Sequence, residues 1–241
     1  ALSAEVAGDN TVAVGKDALR VQQTNSNLDM HNVAIGHSSG YSDTSGRFNT
    51  FIGSMSGYSN TTASNNTAVG FQTGRNNTGG AITAIGQQAL YSNTGASNVA
   101  VGYQASYSNT SGQDNVALGR NALRSNTTAS NNTAVGYEAG LSTTTGTRIT
   151  AIGRSVLNGN TTGVDNTGVG GIDASASATL GNNTTGTNNV AVGGGALNAN
   201  TTASNNTAVG YRALKANTTG SENNAFGKGS LQSATTGGDN S

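Results

Sequence analysis

One short pattern returns along this chain at almost constant spacing: a branched residue, Ala, an aliphatic residue and then Gly. The glycines that close it are Gly15, Gly36, Gly53, Gly70, Gly86, Gly102, Gly119, Gly136, Gly153, Gly170, Gly193, Gly210 and Gly227. Successive anchors lie 17 residues apart, shortening to 16 twice and lengthening to 21 and 23 once each. A fixed period of this length is the mark of a repeat architecture, in which each unit buries its apolar face only by stacking on the next. The ten-residue string TTASNNTAVG occurs at 61–70, 127–136 and 201–210.

The residues before each anchor alternate as a strand does. Val, Ile, Leu or Phe stands one before it, and Val or Thr three before it in every repeat but that of Asn224. Between them lies Ala, replaced only by Phe51 and Gly168. One strand face is therefore apolar and the other very small. Val and Ile are expected to be sealed inside each coil. The Ala face is expected to lie against a close neighbour, either the opposite wall or another chain. After the anchor, plus four is Leu in some coils (Leu19, Leu90, Leu123, Leu157, Leu197, Leu214) and Gly in others (Gly40, Gly57, Gly74, Gly140). Where Gly replaces Leu, another group must fill the space or the coil must narrow.

Two further ranks complete the unit. Seven before the anchor a turn residue is Gly in nine repeats and Ala63, Ala129 or Ala203 in three; Gly there suits a turn of positive φ. Four before the anchor Asn recurs, as in Asn32, Asn49, Asn66, Asn98, Asn115, Asn132 and Asn206. Stacked coils would place these amides about 4.8 Å apart. An amide carries both donor and acceptor, so each either joins a ladder between coils or caps its own turn. Extending the register past Gly227 predicts a turn at Gly237 and an amide at Asn240, and the repeat is expected to continue beyond Ser241. Two stretches, 20–31 and 171–187, interrupt the period and are expected to form surface loops, the usual place for binding faces in solenoids.

Helices are excluded, since no apolar residue recurs at a 3.6-residue period. Collagen is excluded because proline is absent. The expected fold is all-β: a parallel β-solenoid of about thirteen coils in one repeat domain. Each coil offers only two or three sizeable apolar side chains, a thin core against an ordering cost of about 1–2 kcal/mol per residue. Homo-oligomerisation along the length is expected to supply the rest.

Charge and reactive groups narrow the function. Eleven basic residues balance eleven acidic ones, with no basic stripe to bind a nucleic-acid backbone. Cysteine is absent, which suits any compartment. No apolar run has the length of a membrane-spanning segment. His31 and His37 flank one strand without recognisable ligand spacing, so no metal or other cofactor is expected. Glu5, Glu138 and Glu222 are isolated in register, whereas Asp165 and Asp173 are a candidate carboxylate pair; no catalytic set is expected. Five after the anchors stand Tyr41, Tyr58, Tyr91 and Tyr107, with Arg75 between them and Arg20 and Arg124 on either side. A ladder of Tyr and Arg is a candidate receptor-contact surface, since rings stack on sugars and guanidinium groups donate in a fork. A second aromatic row, Phe71, Tyr103, Tyr137 and Tyr211, follows the anchors directly. Thr-Thr pairs in several coils invite an ice-binding reading, though they do not occur in all of them.

The strings Asn131-Asn132-Thr133-Ala134-Val135-Gly136-Tyr137, Asn98-Val99-Ala100-Val101-Gly102-Tyr103 and Asn32-Val33-Ala34-Ile35-Gly36 resemble the NTAVGYQAL-type repeats of phage tail-fibre proteins. They also resemble the head repeats of trimeric autotransporter adhesins. The tail-fibre pattern shares the 17-residue period, and the likeness spans residues 8–241 apart from the two interruptions. The resemblance implies a left-handed parallel β-roll assembled with two copies of itself into a homotrimeric virion tail fibre that contributes to host attachment through a surface glycan or protein. From charge and hydropathy, neither a nucleic-acid partner nor membrane insertion is expected. A bacterial surface adhesin head is the alternative the resemblance implies, and a polysaccharide depolymerase a more distant one.

Overall fold

The computed structural model describes residues 10–22 and 29–240, in two compact units, 1–115 and 116–241. The first contains β1 (Val12–Val14), β2 (Val33–Ile35), β3 (Thr50–Ile52), β4 (Thr67–Val69), β5 (Thr83–Ile85) and β6 (Val99–Val101). The second contains β7 (Val116–Leu118), β8 (Thr133–Val135), β9 (Thr150–Ile152), β10 (Thr167–Val169), β11 (Val190–Val192), β12 (Thr207–Val209) and β13 (Asn224–Phe226). Within each unit every strand pairs in parallel with the next, and the middle residues align, as Ala134 with Ala151. Parallel neighbours one repeat apart can be joined only by winding, so each unit is a parallel β-solenoid with the 17-residue coil.

The facing of the strands is the reverse of the expected one. The middle residue of each strand points inward: Ala34, Ala68, Ala84, Ala100, Ala117, Ala134, Ala151, Ala191 and Ala208 are fully buried. The flanking Val, Ile and Thr point outward. The cause is the width of the coil. The interior is filled from the other wall by the Leu at plus four and the Ala before it, such as Ala122 and Leu123, both fully buried. Ala opposite Leu fits that space, and a second branched side chain would overfill it.

The plus-four position lies in the left-handed region, with φ of 47° at Leu123, 48° at Leu214 and 57° at Gly40. A side chain there costs about 1–2 kcal/mol, whereas burying a Leu gains about 1.5–3 kcal/mol. Terms so nearly balanced allow the same position to be Leu or Gly. Where it is Gly, another register exception fills the volume. Phe51 takes the place of an inward Ala, and a β-carbon on Gly40 would stand 2.9 Å from its ring. Ile82 and Ile149 replace the amide rank, and their Cδ1 atoms lie 3.6 Å and 3.4 Å from the β-carbon positions of Gly74 and Gly140. The reverse exchange occurs at Gly168, where an inward Ala is missing and Val156 Cγ1 occupies its place, 2.5 Å from the would-be β-carbon.

The anchors Gly36, Gly53, Gly70, Gly102, Gly119, Gly136, Gly153 and Gly210 all have positive φ, +134° at Gly36 for example. A β-carbon on Gly36 would also stand 2.6 Å from the carbonyl carbon of Gly53, so close coil stacking imposes a second demand. The turn glycines are different. Gly46, Gly95, Gly163 and Gly220 do not have positive φ; an added β-carbon would instead overlap the carbonyl oxygen of the next turn, as Gly95 would that of Gly112. At these four positions stacking, not backbone handedness, is what favours Gly, whereas Ala63, Ala129 and Ala203 show that the same rank accepts a β-carbon in other coils.

The amides act between coils. Asn32 Oδ1 accepts the backbone N–H of Asn49 at 2.8 Å, and its Nδ2 donates to the turn carbonyl of Gly46 at 2.7 Å. The same two bonds recur from Asn49 to Asn66 and Ala63, and from Asn98 to Asn115 and Gly112. In the second unit Asn132 serves Ile149 and Gly146. Asn206 Oδ1 accepts from the backbone of Asn223, and Asn223 Oδ1 from that of Asn240, with Gly237 supplying the expected turn carbonyl.

A second rank, seven after the anchors, carries no less of the stacking. Asn93 Nδ2 donates to Asn77 Oδ1 at 2.6 Å, and Asn200 Nδ2 to Asn183 Oδ1 at 2.8 Å. Beside it, Thr44, Thr94, Thr127, Thr144, Thr161, Thr184, Thr201 and Thr218 each donate a hydroxyl to the carbonyl of the next Thr in the same rank. Thr fills this rank in every coil from Thr44 to Thr235, eight after the anchor except at Thr184, which the interruption after Gly170 displaces, and these hydroxyls bond the coils to one another.

Candidate interaction surfaces

Three surfaces stand out once the facing is known. The first is the outer face of the sheets. Val14 is 55% exposed, Ile35 39%, Ile85 41% and Ile152 39%. The outward positions of all thirteen strands hold Val, Ile, Leu, Phe or Thr, with Asn224 the single amide and no charged residue. The aliphatic groups recur once per coil along the sheet face in both units.

The second is the Tyr–Arg ladder of the first unit, which the sequence predicted. Tyr41 and Tyr58 stack with ring centroids 4.9 Å apart, and Tyr91 and Tyr107 at 5.0 Å. The Arg75 guanidinium lies between these pairs, 5.3 Å from the Tyr58 ring and 5.8 Å from that of Tyr91. At one end Arg20 covers Tyr41 at 5.5 Å and donates to its hydroxyl at 2.7 Å. The inner ring faces are thus occupied by their neighbours. In the second aromatic row Tyr137 lies between two cations, Arg120 and Arg154, each 5.7 Å from its ring.

The third is the interruption after Gly170. Its extra residues lie between Gly170 and Thr179, a shorter span than 171–187, because the coil resumes at Thr179 and the buried Leu180. Ile172 and Ala178 form an antiparallel bridge that closes the loop. Asp173 at its centre has a fully buried side chain. It accepts from the backbone N–H groups of Ser175 and Ser177 at 2.8 Å each and from Arg212 Nε at 2.5 Å, with Lys215 Nζ at 3.7 Å. Arg212 also donates to Ser175 Oγ. Burial raises the Asp173 pKa, but the Ser177 N–H, Arg212 and the Ser175 N–H outweigh it and hold the carboxyl at about 2. Gly195, φ +72°, leaves room for this carboxylate. The loop is thereby latched to a coil 39 residues further on. The other interruption, 20–31, falls partly at 23–28, outside the described residues.

The remaining candidates separate. Asp165 is held bidentately by Arg148 at 2.6 Å and 2.8 Å, so it and Asp173 are each committed to a different arginine and do not form a carboxylate pair. His31 stacks on Phe48 at 5.4 Å, and His37 lies 3.5 Å from Ser38 Oγ. Among the described residues no three His, Cys, Asp or Glu converge as a metal site. Glu5 lies outside the described residues.

Asp43 is a residue the register could have singled out. It sits seven after Gly36, where most coils have Asn. It is fully buried and accepts from the Gly46 N–H at 2.8 Å, Asn60 Nδ2 at 3.2 Å and Asn49 Nδ2 at 3.3 Å. Burial dominates these bonds and pushes its carboxyl up to about 7.

The sequence matches no protein-family model, and no curated protein is significantly similar to it.

Proposed function

We propose that this chain is a structural segment of a fibre, assembled from three copies of itself and contributing to host attachment in a viral tail fibre. The observation that carries the proposal is the outer sheet face. A solvated strand face ordinarily alternates to polar residues, and contiguous exposed apolar patches mark surfaces that associate. Here branched aliphatic groups recur in coil after coil without one charge. Their period is set by the coil itself, so another copy of the same chain offers a matching surface along each unit. The interior is built from Ala and Leu, and burial of the outer Val and Ile against sister chains adds the apolar area that this thin core lacks. The resemblance to tail-fibre repeats supplies the setting, a virion fibre. Equilibrium sedimentation of the purified chain tests the assembly: a three-chain mass is expected, and a single-chain mass at micromolar concentration counts against the proposal.

A further inference from the structure

The ladder of the first unit combines features that a packed structural stripe does not require. The rank five after the anchors runs Arg20, Tyr41, Tyr58, Arg75, Tyr91, Tyr107 and contains two cations and no acid. The adjoining rank is Ser42, Ser59, Asn76, Ser92 and Ser108, all half-buried and all able to donate. Because the rings stack face to face, a ligand can reach only their edges and hydroxyl groups, and the Tyr41 and Tyr91 hydroxyls already accept from Arg20 and Arg75. A neutral sugar that binds by lying flat on an aromatic face has no access to the faces between Tyr41, Tyr58, Arg75 and Tyr91.

Arg75 supplies an independent indication. Its guanidinium is fixed between two tyrosines, donates from Nη1 to the Tyr91 hydroxyl at 3.1 Å and to Asn76 Oδ1 at 3.4 Å, and has a buried Nε with no partner. No carboxylate lies within ion-pairing distance of it among the described residues, whereas Arg20, Arg148 and Arg212 each have one. An arginine oriented by stacking on both sides and left without a counter-ion is pre-arranged to accept a carboxylate.

We propose that this strip binds a carboxylated polysaccharide lying along the direction of coil stacking. Arg75 takes a sugar carboxylate, while the tyrosine hydroxyls and the Ser/Asn rank bond to ring hydroxyls. The strip presents one polar group per coil, which is why an extended polymer suits it better than a compact ligand. The inference rests on the host-attachment reading and gives it a ligand class.

The test is calorimetric titration of the assembled protein with polygalacturonate oligosaccharides and with the same oligosaccharides methyl-esterified, repeated with hyaluronate as a second carboxylated chain. The acid form is expected to bind, to weaken as salt rises, and to lose about tenfold or more in affinity on esterification, since a charge-assisted bond is removed. Arg75→Gln should abolish the preference for acid over ester. Arg75→Lys, which keeps the charge without the planar stack, should retain part of it. Unchanged melting curves would show that both variants fold. Equal binding of acid and ester, no binding of either carboxylated chain, or an undiminished preference in folded Arg75→Gln would each overturn the proposal. The mass of the same preparation reports on assembly separately, so a three-chain particle that ignores these polymers would refute the ligand class and leave the fibre reading standing.

Discussion

Gly57 and Phe51 share one volume: a β-carbon on Gly57 would overlap the Cδ1 and Cε1 atoms of the Phe51 ring. Most coils fill that space with an inward Ala and a Leu at plus four, and here the large and small partners have changed sides. Phe51→Ala should therefore leave a cavity and destabilise the first unit by about 3–5 kcal/mol. Gly57→Leu alone should also destabilise, through overlap with the ring. The double variant restores the common Ala/Leu pair, so its loss should be well below the sum of the two single losses. Urea unfolding followed by circular dichroism checks the cycle, and additive losses would show that the two sites do not compensate.

The same exchange explains what could be read in the sequence. Period, parallel winding, anchor glycines and the amide rank were all legible, because each repeats thirteen times or nearly so. The facing was not. Alternation separates two strand faces without saying which is inside, and the bulkier face, Val and Ile, is the natural guess. What decides is the opposite wall: Leu123 and its equivalents already fill the interior, and only Ala134-like residues fit beside them. The role of the turn glycines was also hidden, because contact between Gly95 and Gly112 arises only when coils stack. The Asn rank at plus seven and the Thr rank at plus eight were visible in the register but lay away from the strand. The latch of Asp173 on Arg212 joins residues 39 apart across an irregular loop, and no period announces it.

Asp43 stands in an amide rank and has no cation among the groups that bond it, which are Gly46, Asn49 and Asn60. Its folded pKa, about 7, lies above the ordinary 3.8, so the fold favours the protonated form. That contribution is complete below pH 3.8 and is lost as pH rises through about 7. The first unit should melt at a higher temperature at pH 5 than at pH 8, the span amounting to a few kcal/mol at most. Asp43→Asn should remove this dependence and raise the melting temperature at pH 8. Melting curves of both proteins across that range decide the matter, and parallel pH profiles would contradict it.

Ile152 is 39% exposed between the outward Val135 and Val169 on the neighbouring strands. Ile152→Lys places a charge on the face proposed to pack against sister chains, and burying it there without a partner is costly. In an isolated coil the same lysine meets solvent, so the secondary structure should survive, with local stability changing by about 0.5 kcal/mol. The expected outcome is a folded single chain in sedimentation, and an intact oligomer would move the interface to another face.

The Asp173 carboxylate joins the loop at 171–178 to Arg212 and Lys215. Its folded pKa, about 2, lies below the ordinary 3.8, so here the fold favours the ionised form. The contribution is complete above pH 3.8 and disappears as pH falls through about 2, the opposite sense to Asp43. Neutralising the carboxylate leaves Arg212 Nε without its anion and withdraws the charge that holds the Ser175 and Ser177 N–H groups. Asp173→Asn should therefore raise amide hydrogen exchange across 171–178 at neutral pH, by about five- to a hundredfold, as a loss of about 1–3 kcal/mol in local opening requires. In the unmodified protein the same loop should loosen selectively between pH 4 and pH 2, while the strands β9 and β10 keep their protection. Exchange measured by mass spectrometry at both pH values distinguishes a latch from a passive loop: equal protection of 171–178 in the two proteins at neutral pH would show that the ion pair does not hold it.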